Sequence, residues 1–581
     1  MLRISPQKDV YEYWKLPLIN DYVKKWALIT PKERALVFCD DGRTYTYAEF
    51  DEIITSYALK LMELGIKKGD VVATQLLAIP EFYIIMLACS SIGAICASLD
   101  VRLQAQEVVR DLKKVDPVAF FAHGKTRVRD FNEVATAVHD NIPSLKYLFQ
   151  FDRRGNGIAA RSINFDHFFS PEALMAVNKR EDLLEQAREI YAALDKRDPH
   201  MIIYTTGTTG EPKPALICHE NTIINNAIML RVGTTYGSNY ALMNCMPTSH
   251  VAGTLQGAVG TWHRGGSFIT MSMFAPEELL KNIEKFRPTT MGLVPTGYRM
   301  LWAHPNYHKY DLSSLTAVTY GGSAVDKPFL EQLNKMSPTW STGYGMTECA
   351  GYITFTPKGA PVDEVFGQVG QTNPDLTKIT IRKPMNEDGS AGEELPIGEL
   401  GEICVEGPQV FLGYYKDPEA TAKVKSKEGI LYTGDMGYFR DYGNYLGISF
   451  SGRRKFVVKP KGYLVFPEEV AFYISTHPKV NQAHVSAAPH EVFVDGIIAF
   501  VQPKPGQKIT GEEILEFCKG IANYKRPLHV EIWPVDKQFP LNRVNKVDVQ
   551  AMNILAAEIA DRLRSEGKWD REALAVSGSR A

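Results

Sequence analysis

Cysteine pairs are missing. The chain has eight cysteines in 581 residues, scattered singly at Cys39, Cys89, Cys96, Cys218, Cys245, Cys349, Cys404 and Cys518, with no C-x-x-C among them. That argues against a disulfide framework and a thiolate zinc site, and it fits reduced thiols in a cytoplasmic protein. An excess of one charge is missing too: 65 basic residues against 67 acidic ones leave −2, so no nucleic-acid surface is expected. The opening Met1-Leu2-Arg3-Ile4-Ser5-Pro6 has no apolar signal core, and the chain has no internal repeat. One uncharged run, Phe82 to Leu99, approaches membrane-spanning length. Ser90, Ser91, Gly93 and Ser98 interrupt it, and Glu81 and Asp100 bound it. It reads as a buried helix to about Ser91 followed by a strand Ala94–Leu99, not a transmembrane segment.

What is present is an alternation of helix and strand signals over a length that calls for at least two domains. Thr46-x-x-Glu49 reads as a capping box. Phe50, Ile53, Ile54, Tyr57, Ala58 and Leu61 then recur at helical spacing until Gly65 stops the helix. Ala35–Cys39, Val71–Leu76, Met201–Tyr204 and Ala317–Tyr320 read as buried strands. Phe151–Ser170 reads as a polar, irregular connection. The composition turns basic and β-branched around Ser449–Lys461. Beyond it lies a compact pattern: helix Pro467–Ser475, strands His484–Ala488 and Gly496–Gln502, helix Glu512–Ile521 and strand His529–Pro534. The expected fold is therefore α/β, with a large domain of layered α/β subdomains over residues 1–452 and a small α+β domain over 453–581. The tail from about Ser565 reads as frayed.

The richest motif is Tyr204-Thr205-Thr206-Gly207-Thr208-Thr209-Gly210-Glu211-Pro212-Lys213, directly after the strand Met201–Tyr204. Glycines let backbone N–H groups approach a ligand, threonines add hydroxyl donors and Lys213 adds charge, a combination suited to a polyphosphate. The Walker A pattern is absent, since prolines flank Lys213. Taken alone, the stretch also reads as a mobile surface loop. Further motifs follow in order: Met246-Pro247-Thr248-Ser249-His250-Val251-Ala252-Gly253, Val294-Pro295-Thr296-Gly297, Gly321-Gly322-Ser323-Ala324, Ser341-Thr342-Gly343-Tyr344-Gly345-Met346-Thr347-Glu348, and Tyr432-Thr433-Gly434-Asp435. The last are Gly452-Arg453-Arg454-Lys455, Lys459-Pro460-Lys461-Gly462 and Pro540-Leu541-Asn542-Arg543-Val544-Asn545-Lys546.

In this order and spacing the set resembles the adenylate-forming superfamily of acyl-CoA synthetases, adenylation domains and luciferases, from about Tyr45 to about Asp548. The resemblance implies an AMP-forming acid–CoA ligase with ATP, Mg²⁺ and coenzyme A. Thr205, Thr206, Gly207, Thr208, Thr209, Gly210 and Lys213 would hold the β- and γ-phosphates, Thr347 would touch the α-phosphate and Glu348 would ligate Mg²⁺. Gly321, Gly322 and Ser323 would leave room for the purine, faced by Gly343, Tyr344, Gly345 and Met346. Asp435 and Arg453 would clamp the ribose, Lys546 would be catalytic, and His250 would stand beside the acyl pocket. Lys455 matches a hinge, and Lys461 and Gly462 match a loop that enters the site for the thiol step. Asn545 stands where the family usually has Gly, and Asn tolerates φ > 0 best after glycine.

Blander readings stand beside these: a helix-start carboxylate for Glu348, a turn residue for Asp435, solvated charges for Arg453, Lys546 and the basic cluster, and a satisfied buried imidazole for His250. The rival functions are loading of a carrier protein's pantetheine and a non-catalytic nucleotide-binding relative. The partners expected are a compact carboxylic acid (aromatic, alicyclic or medium-chain aliphatic), ATP and CoA, with a homodimer left open.

Overall fold

The computed structural model describes residues 17–570 apart from 127–128, 154, 207–210, 231–236, 323–324, 326, 338, 358, 373, 444, 462, 464 and 543–545. Two large, mainly parallel sheets carry the N-terminal part. One has eight strands in the order Gly413–Tyr414, Pro212–Cys218, Pro199–Thr206, Ile95–Ser98, Val71–Gln75, Ala119–His123, Tyr147–Phe151, Ile163–Asn164. The other has seven, in the order Trp340–Thr342, Ala317–Tyr320, Thr290–Leu293, Ala241–Asn244, Ser267–Thr270, Arg34–Phe38, Thr44–Thr46. The helix Pro80–Ser91 contacts strands of both sheets and is buried from Pro80 through Ser90. A helix apolar all round has no solvent face to offer and suits the space between two layers. Among the described residues no helix is long and apolar enough to cross a membrane.

Local signals explain most element ends. Thr46 and Glu49 form the reciprocal cap, the Glu49 carboxylate accepting from the Thr46 amide at 2.8 Å, and the helix runs Tyr47–Glu63 before Gly65 turns at φ +78°. Asp417 and Thr510 cap the helices Pro418–Ala422 and Gly511–Phe517 by accepting from backbone amides. All eight cysteines are buried and unpaired.

A third, antiparallel sheet of six strands follows, in the order Thr354–Phe355, Gln368–Thr372, Leu446–Arg453, Leu431–Asp441, Gly401–Glu406, Lys378–Arg382. It sits between the parallel sheets and the C-terminal part in sequence. The small domain holds a three-stranded sheet, Val480–His490, Val494–Pro503 and His529–Ile532, with helices Pro467–Ser475, Gly511–Phe517 and Val549–Ser565.

Three expectations need correction. Phe151–Ser170 is not irregular: it holds the strand Ile163–Asn164 and the helix Phe165–Phe168, and Phe165 and Phe169 join Phe121, Phe149 and Phe151 in an aromatic core. The C-terminal segment is not frayed at Ser565. Trp569 is 1% exposed, covers Gly496 and donates Nε1–H to the Pro489 carbonyl at 3.0 Å. The expected helix Glu512–Ile521 ends at Phe517 and tightens into a 3₁₀ turn, Cys518–Gly520.

Burial holds several imidazoles neutral. His123, His200, His219, His263 and His484 are all pushed down by desolvation, His219 and His484 to about 4. These folded values lie below the unfolded value of about 6.5. Their contribution is therefore present above that pH and lost as pH falls toward the folded values, at up to about 1.4 kcal/mol per pH unit for each ring. We expect the thermal unfolding midpoint to drop between pH 7 and pH 5.5. A midpoint that holds or rises over that interval contradicts the assignment.

Candidate active site

Three parts of the chain converge on one site. In the six-stranded sheet, register places Asp435 directly opposite Arg453, and Arg453 Nε stands 3.0 Å from Asp435 Oδ1 as an ion pair. The Tyr344 hydroxyl donates to Asp435 Oδ2 at 2.7 Å. Asp435 is 3% exposed, so its charge is held by one guanidinium and one phenol. The preceding turn is built for this placement. Gly434 takes φ +77°, its amide donates to Glu402 Oε1 at 2.8 Å, and Glu402 Oε2 accepts from Arg454 at 2.9 Å.

The second part is the hairpin Pro199–Thr206 and Pro212–Cys218, where Thr205 pairs with Lys213. Strand Gly413–Tyr414 adds to its edge, with Tyr414 opposite Ala215. The Tyr414 phenol donates to Glu348 Oε1 at 2.7 Å, and Lys213 Nζ stands 5.1 Å from its ring centroid. The Thr205 hydroxyl adjoins the same phenol. Glu348 lies in the 3₁₀ turn Thr347–Cys349 and is buried. Desolvation raises its pKa, and the Tyr414 hydrogen bond works the other way.

Lys546 is the third part. It closes a small loop in which Leu541 bridges Val547, the Lys546 amide donates to Asn542 Oδ1 at 3.1 Å and the Asn542 amide donates to the Lys546 carbonyl at 2.7 Å. Its side chain crosses from the small domain onto Gly322. A Cβ there would stand 2.8 Å from Lys546 Cε, at a backbone φ of +91°. Burial, and then the Arg453 charge, push the Lys546 ammonium down to about 8. His250 shares this field. Desolvation and the Lys546 charge lower it to about 4, and its Nδ1 accepts from the Ala252 amide at 3.1 Å. The neutral ring therefore carries its proton on Nε2. A π-helical turn, Thr254–Val259, follows immediately, the kind of bulge that re-aims side chains near sites.

The glycines do more structural work than the sequence implied. Gly321 leaves no open face on its Cβ side, because the Tyr352 hydroxyl fills it, and Lys546 covers Gly322. Gly343 and Gly345 let the backbone at Thr354 and Gly351 approach. Gly345 and Met346 form a two-residue strand paired with Gly351–Tyr352. Thr347 is half-buried beside Glu348. Lys461 is not at the site in this arrangement. It takes φ +55°, donates to Asn523 Oδ1 at 2.6 Å and lies over the Phe493 ring, all within the small domain. Lys455 is exposed within the 3₁₀ turn Arg454–Phe456. Gly207, Thr208, Thr209, Gly210, Ser323, Gly462 and Asn545 lie outside the described residues, as does the side chain of Thr206. Tyr414 and Tyr352 went unnoticed in the sequence, since only pairing between distant strands brings them here.

Among the described residues no three His, Cys, Asp or Glu side chains form a metal cluster. A single buried carboxylate such as Glu348 suits Mg²⁺, which keeps waters and takes substrate phosphates as its other ligands.

The chain resembles known proteins over most of its length. The family model of AMP-binding enzymes matches residues 23–415, and that of the AMP-binding enzyme C-terminal domain matches 469–546. A mitochondrial medium-chain acyl-CoA ligase of Danio rerio is 29% identical over 522 residues, 86% of this chain and 82% of its own length. The crystal structure of an anthranilate CoA ligase in complex with anthranoyl-AMP has TM-score 0.79 at 19% identity, covering 95% of this chain and all of that one. ATP-bound MatB from Rhodopseudomonas palustris has TM-score 0.75 at 23% identity, covering 94% of this chain and 100% of its own.

Tyr414→Phe should destabilise the protein by about 2 kcal/mol, because the buried Glu348 carboxylate loses a charge-assisted donor. In a denaturant-unfolding double-mutant cycle with Glu348→Gln, the coupling should reach at least about 1 kcal/mol. Additive effects contradict the contact.

Proposed function

Because this chain belongs to the AMP-binding enzyme family, we propose that it joins a carboxylic acid to coenzyme A through an acyl-adenylate. The observation that carries the reading is Lys546, held by the small domain against Gly322 beside the Asp435–Arg453 pair. In the first step a carboxylate oxygen attacks the α-phosphorus of ATP and the bond to pyrophosphate breaks. In the second the CoA sulfur attacks the acyl carbon, AMP leaves and the thiol proton passes to solvent.

Both reactants of the first step are anions, so the site has to supply positive charge in line with the bond that forms. Lys546 neutralises charge between the acid and the α-phosphate. Asp435 accepts from the ribose hydroxyls, with Arg453 keeping it aimed. Thr205 and Lys213 would contact the β- and γ-phosphates, and Thr347 the α-phosphate. Glu348, steadied by Tyr414, would hold Mg²⁺, which when bound screens the triphosphate charge. His250 and the segment Val294–Gly297 border the acid. Tyr352 over Gly321 and Gln256 against Gly351 take up room nearby, which favours a compact acid: aromatic, alicyclic or medium-chain aliphatic. The second step needs Lys546 withdrawn and Lys461 with Gly462 brought in, by rotation about Lys455 between domains spanning 1–452 and 453–581.

ATP–pyrophosphate exchange over a panel of such acids, followed by thioester formation with free CoA or with a carrier protein, tests the reading. Exchange with none of the acids refutes it, and transfer to the carrier alone assigns the other acceptor. Lys546→Ala should lower exchange by about two to three orders of magnitude and spare thioester formation from supplied acyl-adenylate. Near-normal exchange removes Lys546 from the chemistry.

Lys455→Pro separates the steps. A 3₁₀ turn already holds φ in the range that proline imposes, about −65°, so acyl-AMP should form and accumulate while thioester formation collapses. Full CoA-dependent turnover in this variant excludes the hinge.

A further inference from the structure

One carboxyl group outside every motif stands where the two domains meet. Glu468 is the second residue of the helix Pro467–Ser475, beyond Lys455 in sequence. Its Oε2 is buried and has no hydrogen-bond partner among the described residues. It lies against Gly452, where a Cβ would stand 2.7 Å from that oxygen at φ +142°. Three charged groups face it: Asp435 from the strand Leu431–Asp441, Arg453 from the strand Leu446–Arg453, and Glu469 from its own helix. Each is engaged elsewhere. Arg453 is paired with Asp435, and Glu469 accepts from Lys525 at 2.7 Å. Nearby, Arg454 is paired with Glu402, Lys455 Nζ lies over the Phe456 ring and Lys546 covers Gly322, both within the field of Asp435 and Arg453. Docking the small domain thus brings a half-buried carboxyl, one oxygen of which is out of water and whose only donor is its own backbone amide, next to a second carboxylate and gives it no cation of its own. An ionised group so placed is costly.

We propose that Glu468 is a positioning residue that sets how firmly the small domain docks, opposing the docked arrangement when ionised and permitting it when protonated. This rests on the reading that the small domain leaves the docked arrangement for the thiol step. A carboxyl that is ionised in the undocked state and neutral in the docked one makes docking take up a proton. Burial pushes Glu468 up to about 7 in the arrangement seen here, against about 4.3 for a solvated glutamate. Its contribution to docking is fully present below the solvated value and is lost as pH rises through about 7. Lys546 works in a separate window. Its docked value is about 8 and its ordinary value 10.5, so its linkage falls above pH 8. The consequence is directional: near neutral pH the enzyme docks loosely enough to swing, and Glu468 keeps the adenylation arrangement from becoming a trap.

The test uses the full chain with a dye on each domain. Glu185→Cys and Glu558→Cys are exposed sites on the helices Glu181–Ala192 and Val549–Ser565, and they label selectively because all native cysteines are buried. Energy transfer then reports the docked fraction from pH 5.5 to 7.5 with ATP present. In the parent the docking constant should fall about tenfold or more over that range. With Glu468→Gln, a neutral mimic of the same shape, it should stay near its low-pH level. Glu468→Asp, which keeps the charge and withdraws it by one methylene, should flatten the slope only in part. Equal slopes in the parent and Glu468→Gln, or no slope in the parent, overturn the proposal. Pyrophosphate exchange measured on the same samples keeps the two claims apart: its absence in every variant counts against the adenylation reading, and the energy-transfer slope decides Glu468 alone.

Discussion

The site is completed by a single side chain that has to arrive from another domain. Lys546 reaches Gly322 only because that position carries no side chain and adopts φ +91°, a region that L residues rarely enter. The same approach desolvates the ammonium and sets it beside Arg453. The constraint is therefore twofold. The large domain must present a bare backbone at a defined point, and the small domain must hold a lysine ammonium partly desolvated at some cost. A charge kept in this way is worth far more to a developing negative centre than a solvated one.

Around that contact the remaining charges are arranged as short pairs. Asp435 is held by Arg453 and Tyr344, Glu402 by Arg454 and the Gly434 amide, and Glu348 by Tyr414. Each carboxylate is buried and each has a donor, the condition for tolerating charge in a low-dielectric place. Glu468 differs in that one of its oxygens is buried without a partner and its only donor is its own backbone amide, and it belongs to the part that would move. A carboxyl with no cation of its own on the mobile side weakens one arrangement without disturbing the fixed half of the site.

Much of this was legible from sequence. The capping box at Thr46, the helix–strand break after Ser91 and the strand Ala317–Tyr320 are local events, written in adjacent residues. The motif residues Asp435, Arg453, Glu348 and Lys546 could be named, and the register that sets Asp435 opposite Arg453 then joins two of them. Tyr414 and Tyr352 were not legible. Each meets its partner only after distant segments pair, and a tyrosine in a short apolar run reads as core. The aromatic insert at Phe165 and Phe169 and the anchoring of Trp569 were misread for the same reason: polar neighbours in sequence hid residues whose partners lie far along the chain. The glycines at Gly321 and Gly322 read as room for a purine, and sequence alone could not say that Tyr352 and Lys546 of the protein itself would approach them.

The state of Lys546 decides whether the small domain completes the site. Competitive chemical labelling of the folded enzyme across pH, read peptide by peptide, reports the ionisation of this lysine directly. The account predicts an apparent value near 8 for Lys546, well below its solvated neighbours. A value close to the ordinary lysine range of about 10.4 would mean that the ammonium sits in water, and that the small domain does not deliver it to the site.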